Sequence, residues 1–366
     1  MATLSKHHLQ PLGPIHPPRL GSARANEVDA QPIFIPVHDP LDHEAPAILH
    51  SPRDYDAAEA RNSAVILVSG AGGGVSGPSG IYPSLADKLA ILLGVHVVRL
   101  DYRVAARTDY CVPDIAATMD YLQDNHGSTR FVVVGWSFGG SPCFTIAAQQ
   151  PDRVLGVATV ASQTAQTSGV RKLSPRPLLV LHGSGDTCLP QRCSESLYQQ
   201  YGDDPSGSRE IKIFKGDNHG LSRNAPEAEG MLLVFAAKAL GLEDELTAAS
   251  VRIAAQDWVG SEGERMKEMA EGHDFEGGEA LNHNSITSPQ ALFDHVERED
   301  RQGGSGLSGI AGSYELYSLS HRQRMAHLPT ARTYFADAIA PEGFYLVYMT
   351  IVRKQKTARM YLKLDL

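Results

Sequence analysis

Short apolar runs alternate with longer amphipathic segments from Gln31 to about Leu242. From Ala64 onward several of the apolar runs are continuous rather than alternating, which is typical of strands buried on both faces of a parallel sheet. The runs that we interpret as strands lie at residues 33–38, 45–51, 64–70, 95–102, 131–136, 154–161, 177–183 and 210–216.

Helix-like segments separate most of these runs, and two of them end at Gly94 and Gly127, which are expected as C-caps. Strand and helix repeated in this way predict an α/β fold, a doubly wound and mostly parallel sheet of about eight strands. The first two runs lie too close together for a helix between them. We therefore predict that they form an antiparallel N-terminal hairpin at one edge of the sheet.

The composition excludes several classes of function. The net charge is −9 at pH 7, whereas a nucleic-acid surface requires an excess of basic residues. No apolar run reaches the roughly 18 residues that a membrane span requires, and residues 1–27 lack the apolar core of a secretory signal. The four cysteines form no C-x-x-C pair, so we expect reduced thiols in a cytoplasmic protein, with neither a metal nor a cofactor.

The chain is predicted to have three parts. Residues 1–30 are rich in Pro, His and polar side chains and are expected to form a flexible lead. Residues 31–242 form the α/β domain, and residues 243–366 form a C-terminal extension that is first acidic and then basic. Within the extension, residues 300–313 have the composition of a Gly/Ser linker, and residues 343–366 have the pattern of two strands around a basic turn. The extension is a candidate binding surface for a protein partner.

The segment FVVVGWSFGG, residues 131–140, places a serine between a buried strand and a helix-like segment. A nucleophile at such a turn requires a strained backbone that lifts its hydroxyl above the sheet. Small residues two positions before and after it leave room for the strand and the helix to approach each other. Gly135 and Gly139 occupy these two positions. The motif alone is only moderately specific, and its place between strand and helix makes Ser137 the candidate nucleophile.

A serine hydroxyl requires a base, usually a histidine that is oriented by a carboxylate. In a sheet of this kind, catalytic groups lie beyond the carboxyl ends of the strands. Two later strand ends supply such groups: Asp186 follows PLLVLHG and His219 follows EIKIFKG. The chain order Ser137, Asp186, His219 is the one expected for this architecture. Asp217 is an alternative carboxylate, and His182 is interpreted as a structural residue.

A developing oxyanion requires two backbone donors. One is the N–H of Phe138, at the start of the helix that follows the serine. The glycine-rich loop AGGGVSGPSG follows an earlier strand and allows a close approach of the backbone, so we assign the second donor to Ala71, with Gly72 as the alternative. The same loop could instead be mobile. A phosphate-binding loop is a poorer interpretation, because the loop lacks a Lys-Ser/Thr ending. A dinucleotide site with Asp101 as the ribose partner is also poorer, because GAGGGV satisfies only part of that pattern.

Together these motifs resemble the α/β-hydrolase superfamily, and within it the small serine esterases and the dienelactone-hydrolase-like proteins. The resemblance covers residues 32–242 and rests on the segments VILVSGAGGG, VHVVRLDYR, VVVGWSFGG, LLVLHGSGDTCLP and GDNHGL. It implies that Ser137 is the nucleophile, His219 the general base and acid, and Asp186 the orienting acid. It also implies hydrolysis of an ester, lactone, thioester or amide through an acyl-enzyme.

Two differences from the family limit what the resemblance implies. Dienelactone hydrolases proper use a cysteine at the position of Ser137, so their substrate is not carried over. Many family members insert a helical cap where this chain has only SQTAQTSGVRKLSPR, so we expect no large cap and an open site. Trp136 and Phe138 flank the serine and either pack in the core or line an acyl pocket. Trp136 is the candidate substrate contact.

The sequence therefore predicts a serine hydrolase that acts on a small-molecule acyl substrate. Two alternatives stay open. An acyltransferase would form the same acyl-enzyme and pass the acyl group to an alcohol or amine instead of water. A non-catalytic scaffold would retain the fold and act through residues 243–366.

Overall fold

The computed structural model describes residues 15–17, 19–20, 26–39, 43–104, 106–202, 204–246, 252–271, 344–353 and 356–365. The chain divides into two compact units, Met1–Leu281 and Asn282–Leu366. The predicted linker at 300–313 and most of the predicted lead at 1–30 lie outside the described residues.

The first unit consists of strands and helices that alternate along the chain. Its strands are β1 (Val28–Val37), β2 (His43–Pro52), β3 (Ser63–Val68), β4 (His96–Leu100), β5 (Arg130–Trp136), β6 (Val154–Val160), β7 (Leu178–Gly183) and β8 (Arg209–Phe214). Its helices are α1 (Tyr82–Leu93), α2 (Thr108–His126), α3 (Gly140–Gln149), α4 (Arg192–Gln200), α5 (Ala225–Leu240) and α6 (Glu262–Glu271). The predicted C-caps of α1 and α2 are confirmed, because Gly94 and Gly127 both adopt the left-handed conformation there.

The eight strands form one sheet in the order β1-β2-β4-β3-β5-β6-β7-β8. Strand β2 is antiparallel to both of its neighbours, β1 and β4, and the remaining pairs are parallel. The predicted edge hairpin and the mostly parallel sheet are therefore confirmed. Strands β3, β5, β7 and β8 run in the same direction, so their carboxyl ends meet at one edge of the sheet.

Two hydrophobic cores lie on opposite faces of this sheet. Successive residues of β3 alternate between them: Ala64 and Ile66 belong to the core beneath α2 and α3, and Val65 and Leu67 to the core beneath α1 and α5. A strand covered by helices on both faces needs apolar residues at every position. This requirement explains why the strand reads as a continuous apolar run.

The connection between β6 and β7 is short. It contains a single 3-10 turn, Ser168–Lys172, and no inserted helical domain. The prediction that no large cap is inserted here is confirmed.

Residues 252–271 belong to the first unit and pack on its helices, whereas the predicted extension begins at residue 243. The Lys88 ammonium of α1 donates to the carbonyl oxygens of Ala254 at 3.0 Å and Gln256 at 2.6 Å. It also forms an ion pair with the buried carboxylate of Glu229 at 2.9 Å. Trp258 is buried, and the Lys88 ammonium lies 5.3 Å from the centre of its ring. A buried cation and its partners thus attach this segment to α1 and α5.

The described part of the second unit is a two-stranded antiparallel hairpin. Strand β9 (Phe344–Arg353) pairs with β10 (Lys356–Asp365), with Arg353 opposite Lys356. The sequence pattern predicts two strands in this segment, and the structure has them.

Candidate active site

Ser137 occupies a strained turn at the end of β5. Its φ of 54° is unusual for a residue other than glycine,. A Cβ atom built on Gly135 would lie 2.5 Å from the carbonyl group of Gly139, and one built on Gly139 would lie 2.5 Å from the carbonyl oxygen of Ser69. Both glycines are therefore required for the close packing of strand, turn and helix, and this packing maintains the strained conformation of Ser137.

The loop after β3 lies against this turn. A Cβ on Gly70 would be 3.5 Å from the Cβ of Ser137. Ala71 and Gly72 are therefore the first two residues after the point where the loop contacts the turn. The hydroxyl of Tyr102 donates to the Ser69 carbonyl at 3.0 Å and holds the start of the loop. The ring of Tyr102 also packs edge-on against the buried ring of Phe138 at 5.8 Å, so the Phe138 side chain belongs to the core.

Asp101 stabilises the same loop. Its carboxylate accepts hydrogen bonds from the backbone N–H of Gly74 at 2.8 Å and from the backbone N–H of Tyr102 at 2.7 Å. These contacts give Asp101 a structural role in shaping the loop, and a ribose contact is not needed to account for it.

Asp186 and His219 are in hydrogen-bond contact at the carboxyl ends of β7 and β8. The distance between His219 Nδ1 and Asp186 Oδ2 is 2.7 Å, with 17% of the histidine side chain exposed and the carboxylate fully buried. A Cβ on Gly183 would lie 2.3 Å from the carbonyl oxygen of Asp217. The glycine at the end of β7 thus allows the loop that carries His219 to approach the turn that carries Asp186.

Trp136 connects the two halves of the site. Its indole N–H donates to the carbonyl oxygen of His219 at 3.2 Å, and the two rings lie 5.7 Å apart. Only 7% of Trp136 is exposed, in keeping with the packing alternative that the sequence left open. Among the described residues no hydrogen bond links the Ser137 hydroxyl to His219. Such bonds are often long before substrate binds.

The comparison with protein families identifies the fold. The family model described as "alpha/beta hydrolase fold" matches residues 63–177, which span β3, β4, β5 and β6 with the turn at Ser137. Together with the sheet order and the strained serine, this match decides the architecture. The chain has the α/β-hydrolase fold.

Solved structures of similar shape include esterases and a dienelactone hydrolase. Est1E from Butyrivibrio proteoclasticus with bound ferulic acid is 16% identical, covers 57% of this chain and 99% of its own, and has a TM-score of 0.48. The esterase domain of a Rhodothermus marinus protein is 17% identical, with 58% and 98% coverage and a TM-score of 0.46. Dienelactone hydrolase from Anabaena variabilis is 16% identical, with 56% and 96% coverage and a TM-score of 0.45. No match is found among curated proteins.

The Asp186 carboxylate has four polar contacts in the candidate site. One oxygen accepts the N–H groups of Cys188 at 2.7 Å and Leu189 at 2.9 Å. The other lies 2.7 Å from His219 and 3.2 Å from His182. Burial by itself would raise the pKa of Asp186, but the hydrogen bonds from both histidines outweigh burial and hold that pKa well below its usual range. The carboxylate therefore stays ionised.

His182 contributes to this environment from the end of β7. Its Nε2–H donates to the carbonyl of Leu189 at 2.9 Å, and its Nδ1 lies 2.7 Å from the hydroxyl oxygen of Ser194. The sequence treats His182 as structural, and the structure shows that its Nε2 lies 3.2 Å from the Asp186 carboxylate. The sequence contained no signal for this contact.

Asp217, the alternative acid, is occupied by its own loop. One of its oxygens accepts the N–H groups of Asn218 and Arg223, and the other accepts the N–H and the side-chain amide of Asn224. These bonds fix the loop before α5. Asp217 therefore supports the loop around His219, whereas the histidine ring itself bonds to Asp186.

Arg265, which lies after the predicted α/β domain in the sequence, supports the loop that carries His219. This arginine of α6 is 7% exposed and donates to the carbonyl oxygens of Ser222, at 2.7 Å, and Gly260. The Ser79 hydroxyl donates to the carbonyl of Gly220 at 2.8 Å on the same loop. Sequence reasoning missed Arg265, because it lies in a segment without a recognisable motif.

Proposed function

We propose that the protein is a serine hydrolase that cleaves a carboxylic ester or a related acyl bond. The observation that carries the proposal is the hydrogen-bonded pair of Asp186 and His219 at the strand edge where the strained turn presents Ser137. A Ser-His-Asp set on an α/β sheet is suited to acyl transfer through a covalent intermediate.

In the proposed mechanism His219 acts as base and then as acid. Its Nδ1–H donates to the ionised Asp186, which leaves the lone pair of Nε2 to accept the hydroxyl proton of Ser137. The serine oxygen attacks the acyl carbon, and the carbonyl π electrons move to the carbonyl oxygen. That oxygen then re-forms the double bond, the bond to the leaving group breaks, and the imidazolium gives its proton to the leaving group. The Asp186 carboxylate stabilises the positive charge that His219 carries between these two proton transfers.

The oxyanion is assigned to backbone donors at the contact between the two loops. The Phe138 N–H lies at the start of the helix that follows the serine, where the positive end of the helix dipole adds to its effect. The second donor is the N–H of Ala71, with Gly72 as the alternative. The close contact of Gly70 with Ser137 supports this assignment.

Water completes the cycle. His219 removes a proton from a water molecule, the hydroxide attacks the acyl carbon, and the Ser137 oxygen leaves with the proton from the imidazolium. The short connection between β6 and β7 supports an uncapped site for small acyl substrates.

Labelling with a fluorophosphonate probe tests the proposal. We expect wild-type protein to form a covalent adduct on the Ser137 peptide, Ser137→Ala to form none, and His219→Ala to react much more slowly. Ser208→Ala, at an exposed serine, is the matched control and should label like wild type. Folded wild-type protein that does not label, or Ser137→Ala that labels equally, would reject the proposal. Product analysis with mixed water and alcohol acceptors then separates hydrolysis from acyl transfer.

A further inference from the structure

Three different metal-binding side chains converge at the turn after β7. The ligand atoms of Asp186, Cys188 and His219 all lie within 4.8 Å of one another. Cys188 is exposed and is not in a disulfide. The three donors form no sequence motif, because they come from an Asp-x-Cys turn and from a histidine 33 residues after the aspartate.

The turn itself places the thiol beside the carboxylate. The backbone N–H of Cys188 donates to Asp186 Oδ1 at 2.7 Å, and the N–H of Leu189 donates to the same oxygen at 2.9 Å. The two bonds fold residues 186–189 around the carboxylate. The position of Cys188 therefore follows from a hydrogen-bonded turn rather than from a chance approach of distant surface groups.

The donor set selects one class of cation. Nitrogen, sulfur and oxygen from three side chains, with water in the fourth position, is the composition of an open tetrahedral zinc site. Ca²⁺ and Mg²⁺ require oxygen ligands and would not be held by a thiolate and an imidazole. Bonds of about 2.0 to 2.3 Å put neighbouring ligands of a tetrahedral zinc about 3.3 to 3.8 Å apart, which small side-chain rotations would achieve here.

We propose that Asp186, Cys188 and His219 form a Zn²⁺ site, and that occupation of this site inhibits the enzyme. Coordination requires the thiol to release its proton as the Zn–S bond forms. If His219 binds through Nδ1, the 2.7 Å bond to Asp186 must break, because two ligands of one zinc cannot lie so close. If it binds through Nε2, the metal takes the lone pair that would accept the serine proton. Either mode removes the base. The inhibitory part rests on the proposed function, and metal binding does not.

Metal binding is measured first, on the full chain and without any substrate. Zn²⁺ is titrated against a chromogenic chelator, and Co²⁺ is added separately to look for the absorption band of a cobalt–thiolate bond. We expect one Zn²⁺ per wild-type chain and a cobalt–thiolate band. Cys188→Ser keeps the backbone N–H, and it should bind at least tenfold more weakly and lose the band. Cys193→Ser, at a half-buried cysteine nearby, is the matched control and should behave like wild type.

Inhibition is measured next, with each variant normalised to its own rate in the absence of metal. We expect Zn²⁺ to inhibit wild type reversibly on addition of a chelator, and Cys188→Ser to require at least tenfold more Zn²⁺. Equal Zn²⁺ affinity in wild type and Cys188→Ser, or no cobalt–thiolate band in wild type, would overturn the metal site. A band that persists in Ser137→Ala, combined with a wild type that hydrolyses no ester, would retain the metal site and reject the proposed function.

Discussion

Among the described residues, the pairs Asp186–His219 and Asp87–His50 have almost equal geometry in different surroundings. In the site, His219 Nδ1 lies 2.7 Å from Asp186, and in the interior His50 Nδ1 lies 2.6 Å from Asp87. The His219 side chain is 17% exposed, whereas the His50 side chain is completely buried. The distance between ring and carboxylate therefore does not distinguish a candidate catalytic pair from a structural one.

The second ring nitrogen distinguishes the two pairs. His50 Nε2 lies 2.9 Å from Arg99 Nε, and because a guanidinium can only donate, this nitrogen must be an unprotonated acceptor,. Its lone pair is occupied, so His50 cannot serve as a base. For His219, the structure shows a hydrogen bond only at Nδ1 within the described residues. In the proposed mechanism its Nε2 is the base for Ser137, a role that the interior pair cannot take.

The interior pair connects separate parts of the fold. Asp87 of α1 also lies 2.8 Å from Nδ1 of His16, and the Arg99 guanidinium donates to the carbonyl oxygens of Val75 and Ile15. Residues near the N-terminus are thereby joined to α1, the sheet and the glycine-rich loop. This pair stabilises the fold, so substitutions in the two pairs should affect different measurements.

Ser137→Ala should have the largest effect on activity. Without the hydroxyl no acyl-enzyme forms, so kcat/KM for an ester substrate should fall by about 10⁴-fold or more. The free energy of unfolding should change by less than about 1 kcal/mol, because the substitution leaves the core intact. Steady-state kinetics and urea unfolding of the same preparation check both statements. A variant that keeps most of its activity would remove Ser137 from the mechanism.

Matched substitutions of the two aspartates should separate catalysis from stability. Asp186→Asn should lower kcat by about 10⁴-fold, because a neutral amide cannot stabilise the imidazolium of His219 or hold the neutral ring in the tautomer with its proton on Nδ1. Asp87→Asn should leave kcat of the folded protein nearly unchanged and lower the free energy of unfolding by about 3 kcal/mol, because it disrupts a buried hydrogen-bonded network. Equal losses of kcat in the two folded variants would contradict the distinction between the pairs.

The interior pair should also make stability depend on pH. Burial, the largest cause, together with the charge of Arg99 lowers the pKa of His50 from 6.5 to about 4, although Asp87 opposes this shift. Between these values the unfolded chain holds the extra proton, so acidification favours unfolding. The stabilisation is complete above pH 6.5 and is lost as the pH falls towards 4.

We expect this histidine to account for about 2 kcal/mol of the stability lost between pH 7 and pH 5. His50→Gln should reduce the pH dependence of urea unfolding over this range. Where that variant fails to fold, NMR of wild type supplies the measurement: the His50 ring should stay neutral at pH 5. A ring that titrates near 6.5 would show that burial does not control it.

The smallest effect should come from Arg265→Met, which tests how firmly the His219 loop must be held. Loss of the donor to the Ser222 carbonyl should lower kcat by about 3- to 10-fold, through poorer orientation of His219. Amide exchange of residues 218–222 should become faster in the same variant. Arg252→Met, at an exposed arginine of the same segment, serves as the control. Unchanged exchange in Arg265→Met would show that α6 does not support the loop.

The sheet was predictable because its signals are local. A strand covered on both faces must be apolar at every position, so β3 and β5 can be recognised without knowledge of their neighbours. The turn at Ser137 was predictable for a similar reason, since Gly135 and Gly139 are both needed for its packing and lie within five residues. The strand ends that carry Asp186 and His219 follow from the same pattern, while their catalytic roles stay predictions.

Only the tertiary structure decided which polar groups meet across long stretches of chain. The contacts of His182 with Asp186, of Arg265 with the Ser222 carbonyl, and of His50 with Asp87 have no sequence pattern. The convergence of Cys188 with His219 was equally hidden. The physical reason is that hydrophobic periodicity and glycine turns act within a few residues, whereas a hydrogen bond between distant side chains depends on how all the intervening elements pack. The sequence by itself thus determined the sheet and the serine turn, and packing decided that one of two similar Asp–His pairs is buried in the interior while the other lies at the strand edge that carries the serine turn.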